Sequence, residues 1–194
     1  MVTGIAARIG MTARVKTAST WSNAFSIEAR TCDSLGRTVL QAVFQHCNGT
    51  TKLLLETSAN TEARDAFDQT PLHMAVSNNW SRALSLLLQH GADPNCKAYT
   101  GEAPLHRAIR KTANQSVEDL VKDERTDVDL TNYEGETPLH LAIRYAELPE
   151  PESTAERLRR MRRALQMLRK ARPDPNMTNK SGDRPLDLAP QRGP

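Results

Sequence analysis

Three histidines stand in nearly identical surroundings, each preceded by a proline and a leucine. They are His73 in TPLHMA (70–75), His106 in APLHRA (103–108) and His140 in TPLHLA (137–142). A histidine beside a hydroxyl or a carbonyl is a residue type that can relay protons or bind a metal ion. Two related segments, TVLQA (38–42) and RPLDLA (184–189), carry Gln41 and Asp187 where the other three have histidine. A metal or relay role common to all copies would not accept these replacements, so we expect the histidines to be structural.

The five segments recur at a nearly constant spacing. Their first residues are 38, 70, 103, 137 and 184, so the steps between them are 32, 33, 34 and 47 residues. Near-equal steps in succession are typical of a repeat protein, in which each unit packs on its neighbours. The last step exceeds 33 by 14 residues, which places one insertion in the fourth unit.

Each unit contains the signals of two helices. The proline suits the first helical position, where no backbone N–H is needed, and Thr70 or Thr137 suits the N-cap before it. The leucine and the small residues after it fall at i, i+3 and i+4 on one face. A second apolar helix follows, as in SRALSLLLQHGADPN (81–95), where Gly91 provides a left-handed stop. A glycine, or Asp68 in the second unit, occupies the turn before the next helix pair.

The 33-residue period, the TPLHxA segments and the LLLQHGADPN ending (86–95) together resemble the ankyrin repeat. The resemblance covers about residues 33–189. It implies an all-α solenoid of stacked helix-turn-helix units with β-turn fingers, made of four repeats and a truncated fifth. The insertion falls at about residues 147–160, within repeat four. A basic N-terminal segment (1–32) precedes the repeats and a short tail (190–194) follows them.

The resemblance also implies that a partner protein binds at the finger tips and on the concave face of the first helices. Three of the six phenylalanine and tyrosine residues fall at successive predicted fingers. Exposed aromatic residues are frequent hot spots of binding, whereas packing of each ring on the neighbouring finger is the alternative. The predicted contact residues are Phe67, Gln69, Tyr99, Thr100, Glu102, Tyr133, Glu134 and Glu136.

Repeat four carries the strongest charge feature of the sequence. After an acidic, proline-containing loop around 147–152, the stretch AERLRRMRRALQMLRKAR (155–172) has the period of a helix. This helix is longer than the second helix of a normal repeat by roughly two to three turns. Its apolar face toward the solenoid is formed by Leu158, Met161, Leu165 and Leu168. Residues 157–172 hold eight basic side chains and no acidic one.

Three explanations of the basic helix stay open. The charges can be solvated or paired within the chain, they can bind an acidic protein surface, or they can bind nucleic acid or an import receptor. The RRMRR run (159–163) is short, and no aromatic side chain lies among the arginines to stack on bases. The predicted contact residues of this helix are Arg159, Arg160, Arg162 and Arg163.

No other group of residues predicts catalysis. The sequence offers no paired nucleophile and base, no glycine-rich phosphate loop and no cluster with metal-ligand spacing, so we expect a non-enzymatic protein without cofactor or metal. The three cysteines, Cys32, Cys47 and Cys96, lack a CxxC pair, which favours a reducing compartment. No apolar run approaches ~18 residues, so no membrane-spanning helix is predicted.

The predicted function is therefore a protein-binding adaptor, scaffold or inhibitor. Small ankyrin-repeat proteins resemble inhibitors of Rel/NF-κB transcription factors, so such inhibition is one specialisation that the resemblance suggests. We expect a cytoplasmic or nuclear protein. Residues 1–30 have the basic, Ser/Thr-containing composition of a mitochondrial transit peptide, which is the alternative to a leader with a capping helix at about Ser22–Ala29.

Overall fold

The computed structural model describes residues 55–56, 59–147 and 154–189. Residues 55–56 are helical, and from residue 59 onward the described ranges contain six α-helices, one 3-10 helix and no β-strand. In chain order they are α1 (Pro71–Ser77), α2 (Ser81–Gln89), α3 (Pro104–Arg110), α4 (Asn114–Lys122), α5 (Pro138–Glu147), α6 (Thr154–Lys170) and the 3-10 helix Pro185–Leu188. The predicted all-α repeat architecture is confirmed.

The helices form two layers. The inner layer is α1, α3, α5 and the 3-10 helix, each in contact with the next, and the outer layer is α2, α4 and α6 in the same order. The inner helices α1, α3 and α5 also pack on the outer helix of their own repeat. The 3-10 helix continues the inner layer at the place where the sequence predicts a truncated fifth repeat.

The ends of the helices follow from a few residues. Pro71, Pro104 and Pro185 each start a helix, and the preceding Thr70 and Ala103 are extended, with ψ of 166° and 165°. An extended residue before proline and a proline at the first helical position are the geometry that the ring favours.

Two of the left-handed residues lie where the sequence predicts a helix stop or a turn. Gly91 (φ 86°) ends the second helix of its repeat, as expected. Asp68 adopts φ 58° in the turn where the other repeats have glycine. Both residues therefore fill the backbone roles that the sequence assigns to them.

The core consists of small and medium aliphatic side chains between the layers. Leu72, Leu84, Leu105, Ile109 and Leu120 are almost fully buried. Buried alanines at Ala75, Ala108 and Ala142 let neighbouring helices approach closely. Helices of seven to nine residues would not be stable alone, so this packing between repeats holds the fold together.

Helix α6 has 17 residues, compared with nine in α2 and in α4. The eight additional residues make about two turns, at the lower end of the two to three turns that the sequence predicts. Its buried face is formed by Met161, Ala164 and Leu168, with Leu165 half-buried against the core. Ala164, which the sequence interpretation left out, lies closest to the solenoid together with Met161 and Leu168.

Several predictions fall on residues that lie outside the described part of the chain. They concern the N-terminal segment 1–32, residues 33–54 of the first repeat with Cys47, and the tail 190–194. The centre of the acidic loop (148–153) and the side chain of Leu158 also lie outside it.

Candidate protein-interaction surface

Four tight turns project between the helix pairs, at 65–68, 98–101, 132–135 and 179–182. Each turn is closed by a hydrogen bond from its fourth N–H to its first carbonyl, for example from Gly135 N to Asn132 O at 3.0 Å. In three of them the first side chain also accepts two backbone N–H groups. Asn132 Oδ1, for instance, accepts from Glu134 N and Glu136 N at 2.9 Å each. These fingers are therefore rigid turns that hold their tip residues in fixed positions.

Neighbouring fingers contact each other through backbone. Tyr99 N donates to Phe67 O at 3.3 Å, and Lys180 N donates to Glu134 O at 3.0 Å. At Gly101 (φ 73°) an added Cβ would lie 2.6 Å from both the backbone N and the ring of Tyr133. The close approach of one finger to the next thus depends on glycine at this position.

The three predicted aromatic residues lie on the outside of this row. Phe67 is 58%, Tyr99 is 78% and Tyr133 is 57% exposed. The ring of Tyr133 lies against Gly101 of the preceding finger, so packing on a neighbour accounts for part of its position. Tyr99 is the most exposed of the three. Thr100 and Glu134 are exposed beside them, at the tips of the second and third described fingers.

Glu102 and Glu136 do not lie at the surface, which corrects their prediction as contact residues. They are only 7% and 2% exposed. Glu102 accepts a hydrogen bond from Arg110 at 2.8 Å, and Glu136 forms an ion pair with Arg144. A buried carboxylate needs such a partner, so these side chains serve the framework of the inner layer.

Arg107 is the residue of this surface that the sequence analysis did not identify. Its guanidinium donates to Gln69 Oε1 and to Ser77 Oγ, both at 3.1 Å, and lies 3.9 Å from Glu102. The arginine thus ties two repeats together and also fixes the half-buried Gln69. Burial lowers the pKa of Arg107, and the neighbouring Glu102 opposes that shift. One signal was present in the sequence, because Arg107 stands where the other two copies have Met74 and Leu141.

The recurring histidines have the structural role that the sequence predicts. The backbone N–H of Thr70 donates to His73 Nδ1 at 3.3 Å, so the other ring nitrogen carries the proton and donates to Glu102 O at 3.0 Å. His106 bridges Ala103 N and Glu136 O in the same way. Each ring therefore joins the start of one helix to the finger of the next repeat. Burial lowers the pKa of His73 and of His106 to about 4.

Cys96 lies close to one of these histidines. Its Sγ is 3.3 Å from Thr70 Oγ1 and 3.7 Å from His73 Nδ1. Burial raises the pKa of this thiol to about 12, while that of His73 is lowered, so a thiolate–imidazolium pair does not form near neutral pH. Elsewhere in the described ranges, no group of three His, Cys, Asp or Glu side chains is arranged to hold a metal ion.

The basic helix lies on the other side of the molecule, in the outer layer. Arg159, Arg162 and Arg163 are exposed, as predicted, whereas Arg160 is half-buried. Helix α6 packs against α4, which carries Glu118 and Asp119. The hydrogen bond from Lys122 lowers the pKa of Glu118, and the positive charges of Arg163 and Lys170 act in the same direction. The structure therefore does not bring the finger residues and the basic residues together into one site.

Comparison with known proteins agrees with this architecture. The family model described as "Ankyrin repeats (3 copies)" matches residues 5–98 and 39–132, which together span well over half of the chain. The chain belongs to the ankyrin-repeat family. The crystal structure of the ankyrin repeat protein EF0377 superimposes with a TM-score of 0.73 over 88% of this chain and 82% of that one, at 20% identity, and supports the fold.

Two curated relatives illustrate how much of other ankyrin proteins the chain resembles. It is 39% identical over 82 residues to ankyrin repeat domain-containing protein 37 from Bos taurus, which is 42% of this chain and 51% of that protein. It is 36% identical over 106 residues to the B-cell lymphoma 3 protein homolog of Mus musculus, which is 54% of this chain and 23% of that protein. The chain spans about half the length, or less, of the curated relatives it matches.

Membership of the family establishes the general class of function. Ankyrin repeats generally mediate protein–protein interaction, and the family is typically non-catalytic. No helix in the described ranges has the length and apolar character needed to span a membrane.

Proposed function

We propose that this chain is a non-catalytic adaptor, scaffold or inhibitor that binds a partner protein through its finger tips and the adjoining concave face. The observation that carries the proposal is the row of Phe67, Tyr99 and Tyr133 on consecutive fingers, each more than half exposed. Large aromatic residues at fixed exposed positions are typical of binding hot spots, because they bury much area at a small entropic cost.

The buried polar residues behind the row support this assignment. Glu102 is held by Arg110, and Gln69 is held by Arg107, so these side chains keep the fingers rigid. A partner therefore meets a preorganised surface and loses little conformational entropy on binding. Within the proposal, Phe67, Tyr99, Thr100, Tyr133 and Glu134 contact the partner. Gln69, Glu102 and Glu136 position them.

A comparison of two triple variants tests the proposal. F67A/Y99A/Y133A removes the exposed rings, and R82A/Q89A/H90A changes three exposed residues of α2 and its C-cap as a matched control. Partners are captured from native extract with the wild-type chain, and the affinity of each purified partner for the three proteins is measured by titration calorimetry. We expect a loss of at least about tenfold for the aromatic variant only, as for hot-spot residues. Equal affinity for all three proteins would reject the finger surface.

A narrower candidate is an inhibitor of Rel/NF-κB-type transcription factors. Its support is the resemblance of small ankyrin-repeat proteins to such inhibitors, together with the match to the mouse B-cell lymphoma 3 protein homolog over 54% of this chain. Direct titration of a purified Rel-type dimer with the wild-type chain and with F67A/Y99A/Y133A tests it. Saturable binding that the aromatic variant loses is the expected result, and no binding of the wild-type chain would reject this candidate.

A further inference from the structure

A groove runs between the outer helices α4 and α6, away from the fingers. Its volume is about 300 Å³, and it is lined by Glu118, Val121, Lys122, Arg163, Gln166, Met167 and Lys170. This volume is at the lower limit of pockets that enclose a small molecule. The groove is therefore large enough to receive a few side chains of a segment that lies across it.

The α6 wall of the groove is basic. Arg163 and Lys170 line it, and Arg159 precedes them on the same helical stripe, at spacings of four and seven residues. All three side chains are exposed. Neither Arg163 nor Lys170 forms an ion pair with an acidic residue in the described ranges. This wall thus presents a row of cations that favours an anionic ligand.

The α4 wall differs from the α6 wall in charge and in content. Glu118 and Lys122 line it, and they form an ion pair with each other at 2.8 Å. Between the walls lie Val121 and Met167, which are half-buried and pack against the core. The groove therefore combines cations on one side, an apolar floor and a carboxylate on the other side.

This combination favours a peptide over a nucleic acid. A continuous polyanion that follows the α6 wall would place phosphates near Glu118, where like charges repel. None of the residues that line the groove is aromatic, so unpaired bases find no stacking partner there. A protein segment can instead alternate carboxylates with apolar side chains, and so match both the cations and the floor.

We propose that the α4–α6 groove binds an acidic, amphipathic segment of another protein, with its carboxylates on Arg163 and Lys170 and an apolar side chain on Val121 and Met167. Arg159 extends the cationic row for a further carboxylate. This surface is separate from the fingers and does not depend on the proposed finger interaction. The chain thereby has two faces that can hold two partners, or two parts of one partner.

Fluorescence anisotropy with the full chain tests the proposal. The probe is a fluorescein-labelled peptide of twelve residues, with leucine at every third or fourth position, three glutamates spaced to reach Arg159, Arg163 and Lys170, and serine elsewhere. We expect saturable binding that weakens as the salt concentration rises, because the carboxylates are screened. A control peptide with every leucine replaced by serine should bind at least about fivefold more weakly, because it leaves the apolar floor exposed.

Two charge variants locate the site. R163E/K170E reverses the groove cations, and R82E/K111E reverses two exposed cations elsewhere with the same change in net charge. The first variant should lose about tenfold or more in affinity, whereas the second should lose less than about twofold. Circular dichroism of both variants verifies that they fold. Equal losses in the two variants would overturn the proposal, since they would indicate attraction by net charge alone.

Two further measurements separate this proposal from the other candidates. A single-stranded RNA of twenty nucleotides that displaces the peptide and binds more tightly than it would overturn the peptide proposal in favour of nucleic acid. F67A/Y99A/Y133A should bind the peptide like the wild-type chain. A loss of peptide binding in that variant would place the peptide at the fingers and reject the groove, while a failure of the finger proposal alone would leave the groove titrations unchanged.

Discussion

The finger side and the α4–α6 side use the same residue types in opposite ways. At the fingers, Glu102 is buried and lies close to the mostly buried Arg107, and the surface left to a partner is aromatic. In the outer layer, Glu118 and Arg163 are accessible, and apolar side chains form the floor between them. Charged residues that are buried between repeats therefore stabilise the fold of this protein. Charged residues that remain accessible in the outer layer are candidates for binding a partner.

The largest expected difference between the two sides is in their response to acid. The pKa of His73 and of His106 is lowered from 6.5 to about 4, so the unfolded chain binds more protons than the folded one below pH 6.5. Stability is therefore lost as pH falls through 6.5, until it levels off near pH 4. When the pH is lowered from 7.5 to 5, each of these two histidines should decrease the free energy of unfolding by about 2 kcal/mol.

Urea unfolding of the wild-type chain and of H106Q at pH 7.5, 6 and 5 measures this response. H106Q should start less stable but lose only about half as much free energy on acidification, because one of the two rings with a lowered pKa is gone. Peptide binding at the groove involves no histidine and should change little over this range. An equal acid loss in the two proteins would show that the buried histidines are not the cause.

The next effect concerns the contact between adjacent fingers. G101A should destabilise the protein by about 3 kcal/mol, because the added Cβ meets the backbone and ring of Tyr133 in addition to the strain of a positive φ. At Gly182 (φ 86°) nothing lies within 4 Å of the added Cβ, so G182A should cost only about 1 kcal/mol of backbone strain. Chemical denaturation compares the two variants, and equal losses would contradict the close contact.

A third pair of variants, E102A and E118A, removes one carboxylate from the finger side and one from the α4–α6 side. E102A should cost about 2 kcal/mol, because it leaves the mostly buried Arg107 without its nearest carboxylate and removes the partner of Arg110. E118A removes an exposed carboxylate and should leave the free energy of unfolding unchanged within error. Thermal unfolding at pH 7.5 distinguishes them. Comparable destabilisation by E118A would mean that the groove is part of the framework.

The smallest expected effect is the difference in stability between Y99A and Y133A, which change two exposed tyrosines of the fingers. Y99A should change stability by less than about 0.5 kcal/mol, as is usual for exposed residues. Y133A should cost slightly more, because its ring lies on Gly101. Both variants should bind the partner more weakly than the wild-type chain, as measured by titration calorimetry. A tyrosine whose loss reduces stability but not binding would be assigned to packing between fingers.

Much of the fold was predictable because the repeat supplies independent copies of the same signals. The prolines at the helix starts, Gly91 and Asp68 are local backbone requirements, so their roles follow from the sequence alone. The structural histidines were also predictable, because Gln41 and Asp187 replace them in other copies. The length of α6 followed from the 47-residue step and the periodic apolar positions.

The candidate site was only partly predictable. Glu102 and Glu136 stand next to turn glycines, where sequence position suggests exposure. Whether a side chain turns outward or toward the inner layer depends on the neighbouring repeat. Arg110 and Arg144, which lie eight residues further along the chain, draw these carboxylates inward. Arg107 joins Gln69, which is 38 residues away, and such a pairing has no local signal.

The sequence by itself thus determined the repeat, the helix starts, the structural histidines and the long basic helix, because each is marked by residue types that recur at fixed positions along the chain. The tertiary structure decided which charges are framework and which are surface, because burial is set by contacts between units. It also placed the cations of α6 opposite Glu118 of α4, which created a groove that no single repeat contains.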